Sequence, residues 1–387
     1  MFRYITAGES HGPALVGILD GIPAGLRLEV ERIDAALARR QGGYGRGGRM
    51  KIERDAVEFL AGLRGGVTLG SPLCVMVRNR DFENVRALMD PLTGSGQAIT
   101  NPRPGHADFA GALKYRHRDL RNVLERASAR ETALRVALGA ICAQLLEQFG
   151  VRISSYVTRI GAVEAPVFDI FPDPRAVDAS EVRCPDEETS ARMVAAIDAA
   201  KSAGDTLGGQ FEVRVTGMPV GIGSNRQPAE RLDGVIAGSV MAMQTVRAVE
   251  IGAGAAIAST PGSQAHDVFA IDEGQLVRGS NRAGGIEGGM SNGQDILVRV
   301  SVKPIPTLMR ALPSVNLHEG ERAPAAIVRS DVCVVPAGSI VGEAMVALAL
   351  AGPFLDKYGC DSLEEVLDNF RRSQEAAGRL FPNVVIS

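Results

Sequence analysis

The sequence predicts a single layered α+β domain that spans residues 1–387. Helical periodicity alternates along the chain with the period-two pattern of antiparallel strands, which is typical of mixed layered folds. The apolar fraction of 45% is enough for a large core. Length alone allows one large domain or two ordinary ones, and the absence of any Ser-, Thr- or Pro-rich linker favours one.

The first helix is predicted in the segment 28–40, where Val30, Ile33 and Leu37 share one face. A longer helix is predicted to begin near Ser128, and its apolar stripe consists of Leu134, Leu138, Ile141 and Leu145. Ser128 and Glu131 have the spacing of a capping box, and Gly150 is expected to end the helix. Free backbone amides at such a helix start favour an anion or an electron-rich ligand edge.

The most apolar late segment, 337–355, is interrupted by Glu343 and has Gly352-Pro353 near its end. It is too short and too charged to span a bilayer, so we expect a core helix that Pro353 closes. Strands are predicted in 68–81, 206–219 and 291–304, where a glycine turn precedes apolar alternation. Their similarity is weak support for an internal repeat.

Charge and cysteine content argue against several classes of protein. The formal net charge of −3 gives no general positive field for nucleic acid. The five cysteines are widely spaced with no CxxC pair, so neither a disulfide framework nor a metal site is expected. The first residues lack a secretory signal, and we expect a cytoplasmic protein.

The segment 39–53, RRQGGYGRGGRMKIE, is called here the arginine–glycine loop. Its glycines indicate a backbone that takes positive φ angles or lies close to a ligand. Its arginines Arg39, Arg40, Arg46 and Arg49 indicate an anion, because guanidinium forks match phosphate and carboxylate oxygens in pairs. Two interpretations remain open: a site for a small polyanion, or an RGG-like arm for RNA.

Two of the five histidines, His11 and His106, lie in loops rich in glycine and charge. Histidine titrates near neutral pH and can transfer a proton to a leaving group, so both are candidate catalytic residues. A structural imidazole is the alternative for each. His117 is expected on a solvated face, and nothing in the sequence assigns a role to His266 or His318.

Other anion-binding candidates are Arg103, Arg130 and Arg329. If residues 329–331 form a strand, Arg329 and Asp331 share a face, so that Arg329 could bind an anion while Asp331 acts as a base. A surface ion pair is the alternative. Phosphate-loop, HExxH and G-x-S-x-G motifs are absent from the sequence, and the glycines of the arginine–glycine loop lack the preceding strand of a dinucleotide fingerprint.

Over nearly its full length the sequence resembles the chorismate synthase family. The resemblance rests on ordered segments: AGESHGPALVGILDGIPAG, RRQGGYGRGGRMKIE, PRPGHAD, ERASARETALRVALGA, GDTLGG, EGGMSNGQ, KPIPTL and RSDVCVVPAGSIVGEA. Ala127 is a mild departure, since family members often carry serine there. The resemblance implies a β-α-β-α sandwich assembled as a homotetramer.

The resemblance also implies the reaction, an anti-1,4-elimination of phosphate from 5-enolpyruvylshikimate 3-phosphate that gives chorismate and needs reduced FMN. His106 would protonate the departing phosphate, His11 would be the proton source beside the flavin, and Asp331 would accept a proton near flavin N5. The implied substrate-binding residues are Ser10, Arg40, Arg46, Arg49, Arg103 and Arg329.

The implied flavin contacts are Ser128, Ala129, Arg130, Gln244, Thr245, Gly288, Lys303, Pro304, Ile305, Pro306, Thr307 and Arg329. NADPH is a possible reductant of the flavin. Two other functions stay open at this point: a flavin-dependent oxidoreductase with the same cofactor pocket, and an RGG-type RNA-binding protein, which would not depend on His11 or His106.

Overall fold

The computed structural model of the protein describes residues 2–47, 54–168, 170–327 and 331–380. The helices within these ranges are Val30–Gln41 (α1), Phe82–Met89 (α2), Asp108–Tyr115 (α3), Arg121–Ala127 (α4), Thr132–Glu147 (α5), Pro174–Ala179 (α6), Glu187–Ser202 (α7), Leu232–Met241 (α8), Gly262–Ala265 (α9), Val335–Tyr358 (α10) and Leu363–Leu380 (α11).

The strands within the same ranges are Arg3–Ala7 (β1), Ala14–Asp20 (β2), Glu58–Ala61 (β3), Leu63–Arg64 (β4), Val67–Thr68 (β5), Leu73–Arg78 (β6), Arg152–Ile160 (β7), Val163–Glu164 (β8), Gly209–Thr216 (β9), Val246–Ile251 (β10), Phe269–Asp272 (β11), Gln275–Arg278 (β12), Ile286–Glu287 (β13), Met290–Ser291 (β14), Ile296–Val302 (β15), Pro313–Asn316 (β16) and Glu321–Pro324 (β17). The mixed α+β class and the predicted strands within 68–81, 206–219 and 291–304 are confirmed.

Two antiparallel sheets enclose the main helices. The first sheet has the order β1-β2-β6-β3, and the second has the order β10-β15-β9-β7-β8. In β9 from Phe211 onward, and throughout β15, every second side chain is buried, which is the alternation expected of a sheet with one face on the core.

Three glycines mark the contacts between layers. A Cβ atom at Gly17 of β2 would lie 2.7 Å from Leu134 of α5, and one at Gly139 of α5 would lie 2.5 Å from Ala344 of α10. A Cβ at Gly342 of α10 would lie 2.5 Å from the ring of Phe211 in β9. The order is therefore sheet, helix, helix, sheet, and the alternating β-α-β-α order implied by the resemblance is not confirmed.

Helix α5 confirms the predicted stripe, since Leu134, Leu138, Ile141 and Leu145 are fully buried. The capping box is only half correct. Ser128 Oγ accepts a hydrogen bond from the backbone N–H of Arg130, within a 3₁₀ turn at 129–131 that precedes α5. Glu131 does not reach back to Ser128, because its carboxylate binds Thr6 and Arg135 instead.

Helix α10 is long and apolar enough to cross a membrane by length and composition, but 78% of that stretch is buried inside the protein. This confirms the predicted core helix. The predicted end at Pro353 is wrong, because the helix continues to Tyr358. Phe354 and Tyr358 lie beyond the proline, and the Phe354 ring centroid is 4.6 Å from that of Phe149. This aromatic packing offsets the loss of the backbone hydrogen bond that Pro353 cannot donate.

Candidate functional site

The first half of the arginine–glycine loop is fixed to several distant parts of the fold. It leaves the C-terminus of α1, where the N–H of Gly42 caps the helix. The N–H of Tyr44 donates to Glu181 O at 2.8 Å, and the N–H of Val332 donates to Gly45 O at 2.8 Å. Gly45 has a φ of +84°, a left-handed conformation that glycine adopts without strain. The loop as far as residue 47 is therefore anchored, unlike a free arm.

Arg40, Arg46 and Arg130 surround two carboxylates. Arg130 Nη1 donates to Asp55 Oδ2 at 2.7 Å, and Arg40 Nη1 lies 3.6 Å from the same oxygen. Arg46 Nη1 donates to Asp331 Oδ2 at 2.6 Å. We call these five residues the arginine cluster. Among the residues that the structure describes, three guanidinium groups face two carboxylates, an excess of positive charge that an anionic ligand would offset.

Arg40 is the most buried member of the arginine cluster, with a relative exposure of 4%. Its Nε donates to Thr132 and its Nη2 to the backbone oxygen of Ala129. Burial lowers the pKa of Arg40 to about 9, and the charges of Arg46 and Arg130 act in the same direction. Arg40 stays protonated at neutral pH, and an added anion would stabilise that charge.

Asp331 lies in a loop, so the condition that residues 329–331 form a strand is not met at Asp331, and Arg329 lies outside the described residues. The nearest pairing is an isolated parallel bridge between Leu207 and Cys333. Besides Arg46, Asp331 accepts from the N–H of Gly47 at 2.6 Å. Its position is thus set by the arginine–glycine loop and not by a strand ladder.

The loop between β1 and β2 brings Ser10 and His11 next to the arginine cluster. Ser128 Oγ donates to Ser10 Oγ at 3.1 Å. The side-chain amide of Asn79 donates to the backbone oxygens of Glu9 and Gly12, while its oxygen accepts from Arg130 Nε at 2.8 Å. His11 contacts the buried carboxylate of Glu125. Asn79 therefore joins the His11 loop to the arginine cluster.

His106 and Arg103 share one buried carboxylate, Asp108 at the start of α3. Arg103 Nε donates to Asp108 Oδ2 at 2.9 Å, and His106 Nδ1 lies 2.6 Å from Asp108 Oδ1. Burial alone would raise the pKa of Asp108, but hydrogen bonds from His106 and Arg103 outweigh it and hold the pKa well below its usual range. This arrangement fixes His106, which is predicted to protonate the leaving phosphate, and Arg103, which is predicted to bind the substrate.

For Asp108→Asn we expect a loss of stability that is largest near neutral pH and shrinks below about pH 4. Because folding lowers the pKa of Asp108, its carboxylate contributes stability that is present in full above the unfolded pKa. That contribution is lost as the pH falls through the lower folded pKa. Urea midpoints of the wild type and the variant between pH 7 and pH 3 measure the difference, and a difference independent of pH would contradict the assignment.

The residues implied as flavin contacts connect the two histidine regions. Lys303 Nζ donates to the backbone oxygen of Gly105, next to His106, at 2.6 Å. The N–H of Lys303 donates to Thr245 O at 2.9 Å. Gln244 Nε2 donates to Glu131 at 3.4 Å, directly after the 128–130 segment. Among the described residues, no hydrogen bond joins Gly288 to Lys303, Thr245 or Gln244.

Several features of this connecting region fit a flavin mononucleotide. The buried Oε1 of Gln244 has no hydrogen-bond partner among the described residues and could accept from a ring N–H. Thr245 has a φ of +73°, which is rare for a β-branched residue and typical of functional sites. Burial and the nearby charge of Arg247 lower the pKa of Lys303, so two cations lie near each other here, and such a pair suits a phosphate.

An open groove of about 1040 Å³ lies beside His106. One wall is the 102–110 segment, and the other is the hairpin of β16 and β17. Phe109, Leu312 and Val315 give the groove an apolar surface, and Arg103 and Arg322 add positive charge. The groove gives a small anion access to the imidazole of His106.

The structure thus brings Ser10, His11, Arg40, Arg46, Ser128, Ala129, Arg130 and Asp331 together, and it places Arg103 and His106 at the other end of the connecting region. Arg49 and Arg329 lie outside the described residues. The sequence interpretation missed Asp55, Asn79, Asp108 and Glu125. Of these only Asp108 had a local signal, two residues after His106. His117 and His318 are exposed, as in a solvated face.

The layered fold, the positive cluster and the two histidines held by carboxylates are features typical of an enzyme that acts on a small molecule. A sequence profile described as chorismate synthase matches residues 2–355. A chorismate synthase from Desulforudis audaxviator is 53% identical over 381 residues, which cover 97% of this chain and 98% of the relative. One from Moorella thermoacetica is 52% identical over 367 residues, covering 94% and 96%.

A solved structure described as a crystal structure of chorismate synthase superposes with a TM-score of 0.76 at 40% identity, and the match covers 96% of this chain and 97% of that chain. The chain therefore belongs to the chorismate synthase family, carbon–oxygen lyases of the shikimate pathway. The RNA-binding and oxidoreductase alternatives are not favoured.

Proposed function

We propose that the chain eliminates phosphate from 5-enolpyruvylshikimate 3-phosphate to give chorismate, with reduced FMN as its cofactor. The observation that carries this proposal is the arrangement of a positive cluster and two carboxylate-held histidines around residues that fit a flavin. The substrate carries one phosphate and two carboxylates, so its charge complements the excess of guanidinium groups.

The side chains of this protein have separate tasks in the proposed reaction. His106 donates a proton to the phosphate oxygen as the C–O bond breaks, and Arg103 offsets the negative charge that develops there. Asp331 accepts a proton in the step that removes the C6 hydrogen. Ser10, Arg40, Arg46, Arg49 and Arg329 bind and orient the substrate, and His11 holds a proton beside the cofactor.

The cofactor would be held by Gln244, Thr245, Lys303–Thr307 and the 128–130 segment. When bound, reduced FMN supplies transient electron density that helps to expel phosphate. The guanidinium of Arg130 is engaged by Asp55 and Asn79, so a contact from this segment falls to its backbone and to Ser128. NADPH is proposed as a possible reductant, and Gly288 and Arg329 as further cofactor contacts.

The deciding experiment mixes the purified protein anaerobically with 5-enolpyruvylshikimate 3-phosphate and chemically reduced FMN. Phosphate and chorismate should appear in equal amounts, and only when the flavin is reduced. An oxidised-FMN sample is the control. A folded protein that binds FMN but releases neither product would contradict the proposed reaction and favour a flavin oxidoreductase.

We also propose a cytoplasmic homotetramer in which each chain is one domain. The outer face of the first sheet supports self-association, because Ile5 and Ile18 are cross-strand partners with exposures of 66% and 40%. The outer face of the second sheet is polar: Gln210, Glu212 and Arg214 of β9 alternate with the buried residues of that strand. All five cysteines are free, which fits a reducing compartment.

If the first sheet forms a subunit contact, Ile18→Glu should dissociate the assembly, because a carboxylate would be buried in an apolar interface without a partner. Size-exclusion chromatography with light scattering measures the mass at fixed concentration. Gln210→Glu, on the polar face of the second sheet, is the matched control and should keep the wild-type mass. An unchanged mass for Ile18→Glu would exclude this face as a contact.

A further inference from the structure

Glu125, near the end of α4, holds two consecutive residues of the proposed site. Its backbone oxygen accepts from the N–H of Ser10 at 3.0 Å. Its Oε2 accepts from the backbone N–H of His11 at 2.8 Å. His11 Nδ1 lies 3.0 Å from Oε1 and 2.9 Å from Oε2 of the same carboxylate. The residue therefore fixes both the backbone and the ring of His11.

The charge of Glu125 distinguishes it from the other carboxylate that holds a histidine. The Glu125 side chain is 4% exposed, and among the described residues its only ion-pair partner is His11. Asp108, in contrast, has Arg103 as well as His106. Burying a carboxylate is costly unless donors surround it. A hydrogen at His11 Nδ1 is therefore needed to stabilise the buried negative charge of Glu125.

The direction of this hydrogen bond sets the chemistry of the imidazole. An ionised carboxylate can only accept, so beside ionised Glu125 the Nδ1 atom must carry the hydrogen. Proton exchange with a ligand is then confined to Nε2, on the opposite side of the ring. The Nδ1 hydrogen stays in place whether His11 is neutral or charged. The imidazole ring therefore does not need to flip when Nε2 gains or loses a proton.

We infer that Glu125 is a positioning residue that holds His11 in the Nδ1–H tautomer and directs Nε2 towards the site. This inference rests on the proposed role of His11 in the elimination. Glu125 acts through His11 and not on the ligand, so its removal should lower the turnover number more than it changes substrate affinity.

Glu125→Gln separates positioning from a purely structural role. The amide has the same size and can still accept from the backbone N–H of His11, but its NH₂ group can also donate to Nδ1 and stabilise the other tautomer. We expect kcat to fall roughly 10- to 100-fold, the scale of lost partners that orient a histidine, with little change in KM. Wild-type kcat in a folded variant would overturn the inference.

A double-variant cycle shows whether Glu125 acts through His11. In a His11→Ala background, Glu125→Gln should cause no further loss, because the side chain that it positions is gone. Additive losses would overturn the inference. Glu212→Gln is the matched control, since Glu212 has a mostly buried carboxylate paired with Arg299 in the second sheet, and it should keep wild-type kcat.

The tautomer can be measured without cofactor or activity. Solid-state ¹⁵N NMR of protein labelled at histidine, with the His11 signals assigned by their loss in His11→Ala, should show Nδ1 protonated in the wild type and a changed tautomer population in Glu125→Gln. An unprotonated Nδ1 in the wild type would overturn the inference. If the wild type releases no chorismate but shows this signature, the proposed function fails and the positioning stands.

Discussion

Replacing His106 by alanine should slow phosphate release by roughly 100-fold or more, the scale of a lost general acid. The imidazole is held at Nδ1 by Asp108 and lies beside Arg103, so its Nε2 is the atom that can reach a leaving oxygen in the adjoining groove. Without it, phosphate must leave with its full negative charge. The measurement is the rate of phosphate and chorismate formation under saturating reduced FMN.

Two features of the His106→Ala experiment distinguish the loss of a catalytic group from a disturbed loop. The bond between Arg103 and Asp108 remains in His106→Ala and should keep the loop in place. His117→Ala is the control, because His117 is an exposed histidine just after α3. Turnover of His106→Ala at the wild-type rate would remove this residue from the role of general acid.

Replacing Asp55 by alanine should destabilise the protein by about 3–5 kcal/mol, the usual cost of leaving a buried charge without its partner. The Asp55 side chain is fully buried and faces the guanidinium groups of Arg40 and Arg130, whose side chains are 5% and 3% exposed. Removing the carboxylate leaves two buried cations with less compensation. The free energy of unfolding in urea, at one fixed protein concentration, measures the loss.

A surface pair provides the comparison for Asp55. Asp20 pairs with Arg3 at 3.0 Å, but the Arg3 side chain is 74% exposed. Asp20→Ala should therefore cost less than about 1 kcal/mol. If Asp55→Ala costs no more than Asp20→Ala, the buried carboxylate is not what stabilises the arginine cluster.

Local patterns in the sequence predicted the elements that contribute side chains at regular spacing. The stripe of α5 and the alternation of β9 and β15 follow directly from periodicity. The end of α10 could not be predicted in this way, because aromatic contacts with Phe149 carry the helix past Pro353. The Glu131 half of the capping box failed for a related reason, since Thr6, more than a hundred residues earlier in the chain, binds Glu131.

The site shows the same limit. His11, His106 and the arginines stand in unusual local sequences, so their residue types and surroundings indicated function. Asp55 and Glu125 have no local signal, because their importance lies in partners far away along the chain, such as Arg130 and His11. Periodicity cannot predict which buried carboxylate neutralises which cation, since that depends on the packing of whole elements.

The anchoring of the arginine–glycine loop has a consequence for binding entropy. Tyr44 is hydrogen-bonded to Glu181, and Gly45 and Gly47 are hydrogen-bonded to the adjacent residues Val332 and Asp331, so Arg46 is carried on a backbone that folding has already ordered. An RGG arm must lose its conformational freedom when it binds, and that loss weakens the affinity for each contact. For the loop as far as residue 47 the ordering cost falls on folding, so a small anionic ligand can be held there by few contacts.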